Sequence, residues 1–282
     1  METQTVFQND RELRRLTIQN RLLRECEEPV LQRLLDGQSG VRVLDVGCND
    51  GSKTFDRFNR PEIRRVIGLE YHGGLSERAR ARYGGEKFSF RACDVEAPDF
   101  GRWLTELLAA EGVAAFELIY VSFVLMHLKD PQALVRTLRP FLAPGGCLVI
   151  EEAADGVSGL EPDRDGLFRE FLDMLRVDPC AGNRTCGDRA AGWLAAGGYR
   201  EITDRTARIC ADGNDRQRKH DLFETFFSYL PADMALLRQQ EPENRQYAAC
   251  AAWLDEHYEE LRREALSKDS ELTLGIRIVT GV

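Results

Sequence analysis

The chain has 282 residues, 43% hydrophobic and 30% charged, which fits one large α/β domain with insertions or two small domains. That much apolar material supports a core without disulfides or metals as staples. Lys plus Arg is 38 against 47 for Asp plus Glu, a net charge of −9. So acidic a chain is not expected to bind nucleic acid generally, because neutralising phosphates takes a basic surface.

The N-terminal METQTVFQNDRELRR has no apolar h-region, so no signal peptide is expected. The longest apolar-rich stretch, 113–126, is interrupted by Glu117 and Ser122 and is too short to span a bilayer. The expectation is a cytoplasmic protein with no membrane partner. The eight cysteines (26, 48, 93, 147, 180, 186, 210 and 250) are spread along the chain without a C-x-x-C. No metal site is predicted, and most thiols should be small core hydrophobes. Only Cys180 and Cys186 lie close enough for a loop disulfide or a soft-metal pair, a secondary reading.

In chain order, the first forty residues carry apolar positions at helical spacing, from Leu13 and Leu16 to Leu34 and Leu35. Pro29 should break them into two amphipathic helices. Five apolar runs then alternate with helical patterns: VRVLDVG (41–47), RRVIGLE (64–70), FSFRACD (88–94), FELIYVSF (116–123) and GGCLVIEEA (145–153). Strands rich in Val, Ile, Leu and Phe between helices indicate βαβ units and a parallel sheet buried on both faces. Further on, 165–176 and 187–198 read as helices and 199–211 as a strand. A stripe from Tyr247 to Ala265 has the i, i+3, i+4 spacing of an amphipathic helix, and 271–281 is a last strand.

The most informative segment is VLDVGCNDG (43–51). A strand ends at Asp45, and Gly47 and Gly51 open a tight turn into a helix, where glycine lets backbone approach a ligand. Glu70 ends the second strand, where an acid can accept hydrogen bonds from both hydroxyls of a ribose. The glycines read G-x-x-x-G, a poor match to the dinucleotide fingerprint G-x-G-x-x-G. Carboxylates at Asp45 and Asp50 would repel a pyrophosphate and favour a cationic amino-acid ligand.

These residues resemble the class I S-adenosylmethionine-dependent methyltransferases. VLDVGCNDG is similar to their first motif, usually D-x-G-x-G-x-G, with Asn49 in place of the second glycine. Asn tolerates left-handed backbone best among the other residues. GLEY (68–71) resembles the ribose motif and ACDVE (92–96) the adenine motif. FELIYVSFVLMHLKDP (116–131) and LRPFLAPGGCLVIEE (138–152) resemble the segments around the fourth and fifth strands.

The resemblance implies a Rossmann-like, seven-stranded, mostly parallel sheet with an antiparallel last strand, helices on both faces and helical insertions capping the active site. It implies S-adenosylmethionine as cofactor. Asp45 and the loop Gly47, Cys48, Asn49 and Gly51 would hold the methionine end, Glu70 the ribose and Tyr71 the adenine face. Asp94 and Val95 would meet the adenine amino group, and Ser122 would line the reaction side. His127 is the candidate base; its alternative is packing beneath a helix. Glu151 and Glu152 at the end of the fifth strand are candidates for the acceptor; their alternative is a strand-end cap or salt bridge.

The implied domains are an N-terminal helical cap (1–36), a cofactor-binding core (37–211 and 271–282, with 153–186 partly cap) and a helical insertion (212–270). The insertion joins the last two strands at the carboxyl edge and reads as a lid or, alternatively, a homodimer interface. A lidded pocket points to a small-molecule acceptor, since closure excludes water. Open alternatives are a non-catalytic cofactor- or partner-binding protein and a methyltransferase of protein substrates.

Overall fold

The computed structural model describes residues 10–282, with side chains from residue 13 onward. It divides into two compact units. The first gathers residues up to Cys26 with Ala153–Thr185 and Thr206–Ile276; the second comprises Glu27–Glu152, Cys186–Arg205 and Arg277–Val282.

The second unit holds the parallel strands. Strands β1 (Val41–Val46), β2 (Ile63–Glu70), β3 (Phe88–Ala92), β4 (Phe116–Ser122) and β5 (Leu142–Ala153) coincide with the five apolar runs to within a few residues. Their spatial order is β3-β2-β1-β4-β5. β1 pairs in parallel with both β2 and β4, so the strand order reverses beside its carboxyl end. That reversal opens the crevice where ligands of such sheets bind. The connecting helices are α2 (Ser52–Phe58), α3 (Gly73–Tyr83), α4 (Phe100–Glu111) and α5 (Pro131–Leu138). Leu44, Ile67, Ile119 and Leu148 from the sheet and Leu104, Leu134 and Leu138 from the helices are buried in one core, joined by α7 (Cys186–Ala196), Tyr199 and Val279. Continuous Val/Ile/Leu runs are what a sheet covered on both faces demands.

Two expectations are corrected. The sheet has eight strands, not seven. The extra one, β6 (Gly159–Glu161), is three residues long and runs antiparallel to β8 (Glu271–Gly281). Three residues ending a loop carry no periodicity to read. β7 (Thr203–Ala211) also pairs with β8. The hydroxyls of Thr203 and Thr280 meet at 2.7 Å, and Cys210 Sγ lies 3.4 Å from Thr273 Oγ1. These two pairings run in opposite chain directions, so the last strand is antiparallel as expected.

The second correction is Pro29. It does not divide the N-terminal segment: α1 runs unbroken from Asp10 to Leu35 with Pro29 inside. A mid-helix proline removes one hydrogen bond, but Leu22 and Leu23 before it and Val30, Leu31 and Leu35 after it are all buried. Packing on both sides outweighs that loss.

In the first unit, α6 (Leu167–Leu175), α8 (Arg216–Phe226), α9 (Leu230–Gln240) and α10 (Arg245–Ala265) form a helical group. Phe168, Phe171, Phe223 and Phe227 pack there ring against ring at centroid distances of 5.1–6.4 Å and form its core. None of the eight cysteines, all among the described residues, is in a disulfide. No helix among the described residues is long and apolar enough to cross a membrane.

Candidate active site

The loop after β1 is built by backbone conformations that few residues adopt. Gly47 (φ 77°), Asn49 (φ 50°) and Gly51 (φ 75°) are all left-handed. A Cβ on Gly47 would stand 2.2 Å from Val124 Cγ2, so glycine is required there by conformation and by space. The N–H groups of Gly47 and Cys48 both donate to the Leu69 carbonyl, at 2.8 and 2.9 Å. This lashes the loop to the end of β2.

Glu70 completes the loop. One carboxylate oxygen accepts the Asn49 N–H and the other the His72 N–H, both at 2.9 Å. Each oxygen keeps a lone pair for a further donor. Asp45, at the end of β1, accepts the Thr54 hydroxyl. Burial pushes its carboxyl up to about 6, and the neighbouring Lys53 pulls the other way. Tyr71 stands out beside Glu70, 68% exposed. Asp94 is exposed and turns the chain by accepting the Glu96 N–H at 2.9 Å. Val95 lines a groove of about 240 Å³ with Glu96, Phe100, Asp130 and Thr137.

Across the crevice, the ends of β4 and β5 carry a buried cluster of charges. Ser122 Oγ donates to Glu151 Oε2 at 2.6 Å, and Lys53 Nζ reaches both, at 2.7 and 3.0 Å. Lys53 also pairs with Glu27 of α1 at 2.5 Å, and Arg57 pairs with the other oxygen of Glu27. The Tyr120 hydroxyl lies 2.9 Å from Glu151 and 3.0 Å from Glu27. Burial would raise the Glu27 carboxyl, but Lys53 and Arg57 hold it well below the usual range. Glu151 is pushed the opposite way, first by burial and then by the Glu27 charge. Glu151 Oε1 is buried and has no hydrogen-bond partner.

The sequence-predicted residues therefore fall into distinct roles. Asp45, Gly47, Asn49, Gly51 and Glu70 come together around one loop. Cys48 is buried, with its Sγ close against Gly68. The Ser122 hydroxyl belongs to the Glu151 cluster. Glu152 is fully buried and accepts the Leu125 N–H at 2.8 Å, fixing the turn Leu125–His127. Burial pushes its carboxyl up to about 8. His127 ends that turn with an exposed side chain. Lys53, Glu27 and Arg57 were missed. The one local signal was Glu27, an acid set within the apolar stripe of Leu23, Val30 and Leu31.

A family model described as a methyltransferase domain matches residues 16–184. The chain belongs to the methyltransferase-domain family. The chain is 30% identical over 111 residues to a trans-aconitate 2-methyltransferase of Variovorax paradoxus, covering 39% of this chain and 38% of that protein. It is 30% identical over 116 residues to a ubiquinone biosynthesis O-methyltransferase of Xanthomonas axonopodis, covering 40% and 43%. The chain thus matches less than half the length of these relatives. Among solved structures, the YcgJ protein of Bacillus subtilis shares the fold of this chain. Its TM-score is 0.51 at 15% identity, with 89% of this chain and 96% of that one covered.

Proposed function

We propose that this methyltransferase transfers a methyl group from S-adenosylmethionine to a small-molecule acceptor. The observation that carries this reading is the pairing of a glycine-hinged loop with two carboxylates, Asp45 and Glu70, at the reversal point of the sheet. Two acids there suit a ligand with a cationic amino group and a ribose and disfavour a pyrophosphate. Support for a small acceptor comes from the names of the relatives, a trans-aconitate and a ubiquinone-pathway enzyme, with a phosphoethanolamine N-methyltransferase of Triticum aestivum alongside.

The cofactor, when bound, supplies an already activated methyl group. The chain's own residues then have four tasks. Asp45 holds the amino group, with the backbone of Gly47 to Gly51 close against the same end. The spare lone pairs of Glu70 receive the ribose hydroxyls, and its oxygens are already oriented by two N–H donors. Tyr71 offers its exposed ring to the adenine face, with Asp94 and Val95 at the amino edge. On the reaction side, His127 and the unpartnered oxygen of Glu151 are the two groups suited to take a proton from the acceptor.

Calorimetry with S-adenosylhomocysteine tests the reading. The wild-type chain should bind it in preference to NADH. Asp45→Asn and Glu70→Gln should each weaken binding by roughly 10- to 100-fold with the fold retained, the range of hydrogen bonds to charged groups. Unchanged binding in both variants, or a preference for NADH, would overturn the assignment.

A further inference from the structure

The first unit contains a second group of chemistry-bearing side chains. Asp178 and Cys180 lie on the turn Pro179–Ala181 and its cap, and Asp233 lies in the first turn of α9. One ligand atom from each (two carboxylate oxygens and the Cys180 Sγ) lies within 4.8 Å of both others. Asp178 and Asp233 are buried and Cys180 is half-buried. The turn is preorganised: Asp178 Oδ1 accepts the Cys180 backbone N–H at 2.8 Å, which fixes the Asp178 carboxylate against the turn. Its other oxygen, Oδ2, is buried and has no hydrogen-bond partner.

A carboxylate oxygen out of water without a partner is costly, and so are two buried acids side by side. The geometry points to a binding site for a single divalent metal ion of borderline softness, such as zinc, held by Asp178, Cys180 and Asp233. Two hard oxygens and one thiolate suit such an ion better than calcium or magnesium, which take oxygen alone. α9, which carries Asp233, packs against α10.

Binding forms a metal–sulfur bond, and the thiol proton leaves to the buffer. Because the ligands come from a turn near residue 180 and a helix starting at residue 230, the ion would pin two distant chain segments together. This site shares no residue with the candidate cofactor site and does not depend on the proposed transfer reaction.

Cobalt(II) and zinc(II) are the probes. The full chain, stripped with chelator and carrying Cys210→Ala to remove the exposed thiol, is titrated with cobalt(II) and followed by absorption. The expected result is one equivalent bound with a thiolate-to-cobalt charge-transfer band that zinc(II) abolishes, and a higher melting temperature with zinc(II). Cys180→Ala should lose the band. Asp178→Asn, which keeps the oxygen that caps the turn, should bind cobalt at least about tenfold more weakly. The proposal is overturned if no band forms, if the band survives Cys180→Ala, or if Asp178→Asn binds as the wild type does. Circular dichroism of each variant separates loss of the site from loss of the fold.

Discussion

Asp45 shows how one buried side chain sets a measurable pH dependence. Its carboxyl is pushed up to about 6 by burial, so below that pH the ligand-free site carries the proton. A cationic amino group is held only by the carboxylate, and binding must then expel that proton. Affinity for S-adenosylhomocysteine should fall by up to about tenfold per pH unit as the pH drops through 6. Asp45→Asn should flatten the profile. Calorimetry at several pH values distinguishes the two, and a flat wild-type profile would show that Asp45 does not meet the amino group. The proton acceptor is a separate residue question. Glu151→Gln should lower turnover with any accepted substrate by roughly 10²- to 10⁴-fold if Glu151 is the base, with His127→Ala nearly silent. The reverse pattern assigns His127. Release of S-adenosylhomocysteine reads both, and the affinity for that product should stay nearly intact in each variant.

Elements were the most legible level of this chain. β1 to β5 announce themselves because strands buried on both faces must be apolar throughout, and the GxxxG turn is visible as spacing alone. Asn49 in the loop keeps a left-handed φ of 50°, as its chemistry suggested. The carboxylates of the loop were legible because they end strands. The Lys53–Glu27–Glu151 cluster was not, since it joins residues up to 124 positions apart (27 to 151) and no local pattern encodes such a pairing. Pro29 fails for a related reason: local propensity predicted a break, and packing distributed along α1 overruled it. The ring is exposed, so its replacement leaves that packing alone. Pro29→Ala should therefore stabilise the protein by about 1–3 kcal/mol through the restored helical hydrogen bond. Chemical denaturation reads this directly, and a loss of stability would mean that the proline sets a bend the structure requires.

At the scale of the whole molecule, the chain passes five times between its two units, at 26/27, 152/153, 185/186, 205/206 and 276/277. Neither unit is therefore a continuous piece. Residues 27–152, expressed alone, would lack α7, Tyr199 and Val279 from their shared core. That fragment should show no cooperative thermal transition, while the full chain should; a cooperative melt of the fragment would show that five strands suffice. The position of β8 has a consequence for how the protein is made. It pairs with β5, β6 and β7, yet its first residue follows the end of β5 by 118 positions (271 − 153). At a synthesis rate of about 5–20 residues per second, β5 leaves the ribosome roughly 6–24 s before its neighbour exists. For that interval a hydrophobic strand has an open edge, the feature that templates aggregation. Yield in the cell should therefore respond to chaperone supply and to the speed of translation across the stretch that separates the two strands.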